Sequence, residues 1–288
     1  MSVRTALAPA KVNLFLHVGP VDPDGYHPLA SLVAFADIGD RLSVAPADRL
    51  SLTVEGPFAG ALADEPDNLI RRVLRRLGAA TGIGEPPLAI TLDKRLPVAA
   101  GLGGGSADAG AALKLARDAL GLALDDGALA DIAGAAGADG PMCLHARAAW
   151  AEGRGDRLAF EPALPSLPAL LVNPGVPSPT GPVYRAYDAG RPSGADRPAP
   201  PPSWSTGDVI DWLGGRRNDL QAPAVALQPR IGEALDEAAG LPGARLVRMS
   251  GSGATVFALF DRPSHATVAA DRLRARRPDW WIAPTVLG

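Results

Sequence analysis

The sequence predicts an α+β protein made of two domains. A chain of 288 residues, 47% of them hydrophobic and 20% charged, is long enough for two domains that each bury a core. The first half carries a strand, a glycine-dense loop and a helix in direct succession, and the second half has the order β, α, β-turn-β, α, β. We place the boundary after Arg157, which gives domains of residues 1–157 and 158–288.

The elements of the first half follow from alternating apolar residues and from turn-forming residues. Residues 8–18 alternate as a strand with one apolar face does, and Lys11 and Asn13 lie on its polar face. A turn of Asp, Pro and Gly then leads into Tyr26 and His27, which either bind a nucleobase or only close the turn. Further expected elements are strands at 32–36, 41–44, 50–54 and 89–92, a helix to Leu77 capped by Asp67 or Asn68, a helix over 125–136, and a turn at 150–157.

The stretch from Pro97 to Leu113 is the most informative part of the chain. Four glycines fall within residues 101–105, and an alanine-rich helix follows at once. Glycine has no Cβ to keep a ligand away from the backbone, and a helix start directs unpaired N–H groups and a positive dipole end into the same space. The stretch therefore predicts a phosphate site. Its residues are Pro97, Val98, Ala99, Ala100, Gly101, Leu102, Gly103, Gly104, Gly105, Ser106 and Ala107.

Other glycine-rich loops fit this stretch less well. A P-loop is excluded, because Gly105 is followed by Ser106 and Ala107 with no lysine. A dinucleotide fingerprint needs a second parallel strand between the helix and Asp125, where the sequence predicts only helix. A bare connector between elements remains an alternative, although connectors rarely need so many glycines.

The second half is predicted to be a smaller α+β layer. A stiff connection begins with residues 173–181 and ends at Tyr184. The residues from Gly190 to Ser203 form a Pro- and Gly-rich loop. A second glycine motif, Ser250 to Gly253, is either an anion-binding loop or a hairpin turn. Further expected elements are strands at 169–172, 244–249, 256–260 and 281–284, and helices starting at 218–220 and covering 231–239 and 265–276.

Composition excludes several classes of function. A net charge of −3 and a pI near 5.8 give no basic surface for nucleic acid. The single cysteine, Cys143, permits no internal disulfide, and the four histidines lack the spacing of a zinc site. No signal peptide and no run of about 18 apolar residues is present, so we expect a soluble cytoplasmic protein with no membrane partner.

Two charged residues are candidates for chemistry. Asp139 stands between glycines at the start of an apolar segment, where an aspartate either caps a helix or faces a ligand. Lys11 on the first strand is either a solvated surface group or a functional cation.

Three stretches together resemble a known family. The residues Pro9 to Leu14, the stretch from Pro97 to Ala112, and Gly251 to Ala254 are similar to the three motifs of the GHMP kinases, the superfamily of galactokinase, homoserine kinase, mevalonate kinase and phosphomevalonate kinase. Within it, the signature from Asp24 to His27 resembles members that phosphorylate a cytidine-diphosphate alcohol of the non-mevalonate isoprenoid pathway. The three motifs occur in the expected order and span nearly the whole chain.

The resemblance implies a fold, a reaction and site residues. The fold is the two-domain GHMP kinase fold, with an N-terminal ribosomal-protein-S5-domain-2-like α/β domain and a C-terminal ferredoxin-like α+β domain. ATP with Mg²⁺ would bind the glycine loop and phosphorylate the 2-hydroxyl of the alcohol, in a monomer or weak homodimer. Lys11 and Asp139 would be the catalytic pair. The resemblance places Asn68 and Lys94 near the adenine, and assigns Asn13, Tyr26, His27, Thr180 and Tyr184 to the substrate.

The chain departs from the family pattern at three places, and other functions remain open. Ala107 replaces a common serine, so that only Ser106 can offer a hydroxyl to phosphate or Mg²⁺. Gly140 stands where relatives often have valine, which is expected to loosen the turn at Asp139. The loop from Gly190 to Ser203 is longer and richer in proline than usual. The alternatives are a mevalonate or homoserine kinase, a Rossmann-type oxidoreductase, and a non-catalytic nucleotide-binding regulator.

Overall fold

The structure is a computed structural model that describes residues 3–63, 67–190 and 192–288. Its strands are β1 (Arg4–Val18), β2 (Leu29–Pro46), β3 (Ser51–Glu55), β4 (Leu88–Asp93), β5 (Ala149–Gly153), β6 (Arg157–Phe160), β7 (Leu167–Asn173), β8 (Leu246–Met249), β9 (Val256–Leu259) and β10 (Trp281–Leu287). Its α-helices are α1 (Leu69–Thr81), α2 (Gly104–Leu120), α3 (Asp126–Gly134), α4 (Gly140–His145), α5 (Thr180–Asp188), α6 (Thr206–Gly214), α7 (Gln221–Leu227), α8 (Pro229–Ala239) and α9 (Pro263–Arg276), and a 3-10 helix covers Ala59–Leu62.

The described chain divides into two compact units, and each is assembled from separate segments. Unit 1 contains the described residues up to Ala10 together with Ile38–Val98 and Gly103–Ala146. Unit 2 contains Lys11–Asp37, Ala99–Leu102 and Arg147–Gly288. The predicted boundary after residue 157 divides the chain along its sequence instead, and it stays a prediction.

In its described residues, unit 1 combines a small mixed sheet with four α-helices and the 3-10 helix. Strand β4 lies between β3, which runs parallel to it, and the last part of β2, which runs antiparallel. Helix α1 begins where Asn68 accepts a hydrogen bond from the backbone N–H of Ile70, so the predicted cap is confirmed. Its apolar face buries Val73, Leu74 and Leu77. Helices α1 to α4 pack on one another, which gives the glycine-started helix α2 a fixed support.

Unit 2 is built on an antiparallel sheet with the order β10, β7, β9, β8. Helices α8 and α9 pack against these strands. All seven residues of β7 are buried, as expected for a central strand covered on both sides. The first part of β2 pairs with β5, and β5 pairs with β6. Most predicted elements of the second half are confirmed by this arrangement.

Three local predictions were partly wrong, and one helix was missed. The strands predicted at 32–36 and 41–44 form one strand, β2, because the intervening Asp37 to Asp40 continue in extended conformation. The turn predicted at 150–157 is the hairpin of β5 and β6, and its first strand is mostly buried. The connection predicted to end at Tyr184 becomes helix α5 at Thr180, and α6 was not predicted. Proline and glycine in residues 173–182 conceal the start of α5, although proline is well tolerated in a first helical turn.

The predicted loop from Gly190 to Ser203 forms neither helix nor strand over its described residues, which exclude residue 191. It is nevertheless held to unit 2. The backbone N–H of Ser193 donates to the Tyr187 hydroxyl at 2.9 Å, and the Trp212 indole N–H donates to the carbonyl of Ala199 at 3.0 Å. Side-chain hydrogen bonds thus replace the regular backbone pairing that its prolines prevent.

Candidate active site

The glycine loop has the backbone conformation that its sequence predicts. Ala99, Gly101 and Gly103 all have positive φ, at 51°, 73° and 62°. Gly103 is the left-handed N-cap residue of α2, and no side chain caps this helix. The N–H groups of the first helical turn have no acceptor within the helix, so they remain suited to an anion.

The oxygens of the loop, in contrast, are bound by the protein. Within unit 2, the carbonyl of Ala100 accepts from the N–H of Thr255 at 3.1 Å, and the carbonyl of Leu102 accepts from the N–H of Lys11 at 2.8 Å. The carbonyl of Gly101 accepts from the Ser250 hydroxyl at 2.9 Å. The partial negative charges of these three residues are therefore paired with protein donors, which favours an anionic ligand at the loop.

Ser250 joins two of the sequence motifs. Its hydroxyl accepts from the N–H of Asn13 at 3.2 Å while it donates to Gly101. A Cβ at Gly101 would lie 2.3 Å from the carbonyl oxygen of Ser250, so only glycine allows this close approach. The motif from Ser250 to Gly253 is the turn between β8 and β9, and it also supports the glycine loop. The interpretation as a hairpin turn is thus confirmed, and the interpretation as an anion-binding loop stays a prediction.

The polar face of β1 is buried instead of solvated. The ammonium of Lys11 donates to the Asn13 side-chain oxygen at 2.8 Å, and the Asn13 amide donates to the Ser31 hydroxyl at 2.8 Å. Lys11 is 5% exposed and Asn13 is 6% exposed. A buried ammonium carries a large desolvation cost and is retained where its charge is used or paired, so the interpretation of Lys11 as a surface lysine is wrong.

Asp139 is the N-cap residue of α4 in unit 1, but its side chain makes no capping hydrogen bond. The capping role considered from the sequence therefore does not account for this carboxylate. The expected loosening of its turn by Gly140 is also wrong. A Cβ at residue 140 would lie 2.3 Å from the carbonyl oxygen of Ala133, so the turn is tightly packed against α3 and accommodates only glycine.

The predicted substrate residues of unit 2 fall into three local groups. Tyr26 is 53% exposed, and the guanidinium of Arg154 lies 4.0 Å from the centre of its ring. The rings of His27 and Tyr184 lie 4.7 Å apart. The hydroxyl of Thr180 lies 3.0 Å from that of Ser252, which places the start of α5 at the β8–β9 turn.

Lys94 lies in an internal ion cluster of unit 1. Its ammonium is 2.6 Å from Asp40 and 2.7 Å from Asp108, and all three side chains are at most 3% exposed. The other oxygen of Asp40 accepts from the backbone N–H groups of Arg95 and Leu96 at 2.6 and 2.8 Å. The Lys94 ammonium is thus held by carboxylates, and any contribution to adenine binding falls to other atoms of this residue.

Two opposing effects set the charges of this cluster. Desolvation raises the pKa of Asp108 to about 7 despite the neighbouring ammonium, and the second carboxylate, Asp40, adds to the rise. Desolvation alone would lower the pKa of Lys94, but the carboxylates of Asp108 and Asp40 outweigh it and raise the pKa. The cluster therefore keeps the ammonium charged, and Asp108 is the group that takes up a proton as the pH falls through about 7.

Sequence reasoning missed Asp40 and Asp108. A signal existed for Asp108, since a charged residue at the centre of the alanine-rich start of α2 is expected to be paired when buried. For Asp40 no comparable signal existed, because its partner Lys94 lies 54 residues away. Asp188, which contacts His27, was missed because the helix that carries it was not predicted.

The described residues contain no group of three or more His, Cys, Asp or Glu side chains placed to hold a metal ion. Among the helices that the structure describes, none is both long and apolar enough to span a membrane. Between α2 and α3, residues 121–125 form no strand, so the arrangement that a dinucleotide-binding fingerprint requires does not occur.

Comparison with known proteins agrees with the motifs. Residues 68–147 match the family model "GHMP kinases N terminal domain", and residues 207–279 match "GHMP kinases C terminal". A 4-diphosphocytidyl-2-C-methyl-D-erythritol kinase from Caulobacter vibrioides is 55% identical over 96% of this chain and 97% of its own. One from Methylobacterium radiotolerans is 50% identical over the full length of both.

Solved structures give the same result. A crystal structure of a 4-(cytidine 5'-diphospho)-2C-methyl-D-erythritol kinase is 36% identical, with a TM-score of 0.80 over 99% of both chains. A homoserine kinase from Cytophaga hutchinsonii, at 18% identity and a TM-score of 0.67, shares the fold over 99% of this chain and 95% of its own. The predicted two-domain fold and the expected family are confirmed: this chain belongs to the GHMP kinases, among the 4-diphosphocytidyl-2-C-methyl-D-erythritol kinases.

Proposed function

We propose that this chain phosphorylates the 2-hydroxyl group of 4-diphosphocytidyl-2-C-methyl-D-erythritol with ATP, in the non-mevalonate route to isoprenoids. The observation that carries the proposal is the Ser250 hydroxyl, which bridges Asn13 on the first strand and Gly101 in the glycine loop. The relatives that are half identical over nearly the whole chain carry the name of this kinase. The homoserine kinase is only 18% identical, so its likeness supports the fold and does not favour that activity.

The glycine loop is assigned to the phosphates of ATP. Phosphoryl transfer demands little covalent chemistry from the protein and mainly needs groups that position the phosphates and offset their charge. The first-turn N–H groups of α2, starting at Gly104, supply such donors, and no side chain competes for them as a cap. Within unit 2, the carbonyls of Ala100, Gly101 and Leu102 are already paired with protein donors.

Asp139 is assigned to the hydroxyl that receives the phosphoryl group. A carboxylate within hydrogen-bond distance of that hydroxyl takes its proton or orients it for attack. Lys11 is assigned as the cation that offsets negative charge during transfer. Its burial supports this assignment, because an ammonium with little access to water acts with a stronger field than a solvated one. Asn13 holds Lys11 in place through its side-chain oxygen.

We also assign Mg²⁺ as the partner of ATP. Mg²⁺ keeps much of its hydration and is commonly held by substrate phosphates with one or two protein oxygens. Ser106, half-buried in the first turn of α2, is the candidate protein ligand. When bound, the ion would offset charge on the phosphate oxygens.

The cytosine is assigned to Tyr26, His27 and Tyr184, with Thr180 and Asn13 on the rest of the alcohol. Aromatic rings bind a base by stacking, and the ring pair of His27 and Tyr184 already provides such a surface. Because ATP is the phosphate donor, we place the reaction in the cytoplasm. The expectation of a monomer or weak homodimer stays a prediction.

A coupled assay of ADP release tests the proposal. Wild-type protein is given ATP, Mg²⁺ and, in separate reactions, 4-diphosphocytidyl-2-C-methyl-D-erythritol, mevalonate and homoserine. We expect turnover only with the cytidine compound. Turnover with mevalonate or homoserine alone, or ATP binding without turnover of any alcohol, would contradict the assignment.

A variant connects this activity to the observation that carries it. Ser250→Ala removes the bridge between Asn13 and Gly101 and is expected to raise the KM for ATP, because the glycine loop loses one of its supports. Ser51→Ala, on an exposed position of β3, is the matched control and should leave the KM unchanged. An unchanged KM in Ser250→Ala would mean that the bridge does not organise the phosphate site.

A further inference from the structure

His27 lies in a defined environment of unit 2. Its side chain is 9% exposed, and its ring lies 4.7 Å from that of Tyr184 and 6.0 Å from that of Tyr187. Its Nε2 atom lies 2.6 Å from a carboxylate oxygen of Asp188. The imidazole is thus enclosed by aromatic rings on α5 and contacted by an acid at the end of the same helix.

Helix α5 presents these three residues together. Tyr184, Tyr187 and Asp188 are separated by three and four positions, which places them on one face of the helix. The helix is fixed by the Tyr187 hydroxyl, which donates to the carbonyl of Val18 and accepts from the N–H of Ser193. Asp188 therefore meets His27 from a supported position, although its side chain is 35% exposed.

A carboxylate next to one ring nitrogen decides which tautomer a neutral histidine adopts. An ionised carboxylate only accepts hydrogen bonds, so Nε2 must carry the proton that it donates to Asp188. The other nitrogen, Nδ1, is then left with a lone pair and can only accept. A neutral His27 held in this way is an acceptor toward a ligand and cannot donate to one.

We propose that Asp188 fixes His27 in the Nε2–H tautomer, so that Nδ1 accepts from the exocyclic amine of cytosine and the chain selects cytidine over uridine diphosphate alcohols. This inference rests on the proposed function, which assigns the base to His27. Cytosine carries an amine donor where uracil carries a carbonyl acceptor. A lone pair on Nδ1 binds the amine and repels the carbonyl, and a site built to accept from a donor rejects an analogue that lacks it. Asp188 acts through His27 and is a positioning residue.

Substitution of Asp188 by asparagine tests this role. The asparagine side chain has nearly the same shape, but its amide can donate as well as accept, so both tautomers of His27 become available. We expect the ratio of kcat/KM for the cytidine substrate to that for its uridine analogue to fall by about tenfold, the effect of one hydrogen bond. The loss should appear mainly in the KM for the cytidine substrate, with the KM for ATP unchanged.

Asp236→Asn is the matched control, because it makes the same change at an exposed carboxylate on α8 in the same unit. It should keep the wild-type ratio. A wild-type ratio in Asp188→Asn would overturn the inference while leaving the proposed function intact. Absence of wild-type turnover with the cytidine substrate would instead contradict the proposed function itself.

The tautomer is also measurable without turnover. In wild-type protein labelled with ¹⁵N-histidine, long-range ¹H–¹⁵N correlation spectra distinguish a protonated ring nitrogen from one that carries a lone pair. We expect Nε2 to be protonated and Nδ1 to carry a lone pair in wild-type protein, and both tautomers of His27 to be present in Asp188→Asn. A wild-type His27 protonated at Nδ1, or at both nitrogens, would overturn the inference even if the variants did not fold.

Discussion

The ammonium of Lys94 lies 2.7 Å from a carboxylate oxygen of Asp108 and close to the first turn of helix α2. A Cβ built at Gly104 would be 3.1 Å from that ammonium. A carboxylate oxygen of Asp40 lies 2.6 Å from the same ammonium. The other oxygen of Asp40 accepts a hydrogen bond from the backbone N–H of Arg95, in the segment that leads into the glycine loop. The buried ion cluster of Lys94, Asp40 and Asp108 therefore holds in place the chain segment just before the glycine loop, which is the candidate phosphate site.

Removal of the Lys94 charge should strongly destabilise the protein. Lys94→Met leaves the carboxylates of Asp40 and Asp108 buried together without a cation, and breaking a buried ion pair in this way costs about 3–5 kcal/mol. Urea denaturation followed by circular dichroism measures the free energy of unfolding. Lys114→Met is the control, because Lys114 lies 3.8 Å from Asp126 with a third of its side chain exposed, and such pairs contribute about 0–1 kcal/mol. Equal effects of the two variants would contradict the buried cluster.

The same cluster predicts a pH dependence of stability. Burial raises the pKa of Asp108 from the ordinary 3.8 to about 7. Between pH values of about 4 and 7, the folded state therefore binds a proton at Asp108 that the unfolded state has already lost. The contribution of Asp108 to the free energy of unfolding therefore falls as pH rises from about 4 to 7 and is constant above that range. Lys94 does not titrate in this window, since its pKa is raised above the usual value.

In Asp108→Asn this contribution is absent. We expect the free energy of unfolding of the variant, relative to wild type, to rise between pH 4 and pH 7. Denaturation at several pH values measures the difference. Asp131→Asn, an exposed carboxylate on α3, serves as the control and should show no such trend. A constant difference between Asp108→Asn and wild type would contradict a proton on Asp108.

Substitution by alanine should have opposite effects on the free energy of unfolding at two glycines, Gly101 and Gly105. Gly101→Ala combines a φ of 73° with a Cβ that would lie 2.3 Å from the Ser250 carbonyl oxygen, so the loop must shift. We expect a loss of stability of roughly 1–3 kcal/mol, measured by denaturation. Gly105→Ala meets no atom within 4 Å and lies in a helical turn, where alanine stabilises by up to about 1 kcal/mol. If both changes destabilised the protein to a similar extent, the close approach of Gly101 to the Ser250 carbonyl would not be the reason why glycine is needed at residue 101.

Asp139→Asn should separate binding from catalysis. If the carboxylate takes or orients the hydroxyl proton, its loss lowers kcat by roughly a hundredfold to ten-thousandfold while ATP still binds. Steady-state kinetics and calorimetric titration of ATP measure the two quantities. Asp131→Asn again provides a control on an exposed carboxylate of the same unit. Wild-type kcat in Asp139→Asn would remove this residue from the mechanism.

Much of the local structure was predictable because it follows from properties of neighbouring residues. The positive φ of Gly101 and Gly103, the cap at Asn68 and the strand that carries Lys11 all follow from short-range patterns. The errors arose where local patterns are ambiguous. Prolines concealed the start of α5, and the segment from Asp37 to Asp40, which has an aspartate at each end and a glycine, separated two predicted strands that are one strand in the structure.

The sequence by itself determined the loop and the family, because a missing Cβ, a helix start and the order of three motifs can all be read along the chain without knowing which distant residues meet. Tertiary structure alone decided which distant groups meet. His27 finds Asp188 161 residues away, and Ser250 reaches Gly101 across 149 residues. Hydrogen bonds and ion pairs act over only a few ångströms, so such partners exist only after folding has brought their strands and helices together. The charge of Asp108 and the tautomer of His27 depend on those neighbours, and no local pattern encodes them.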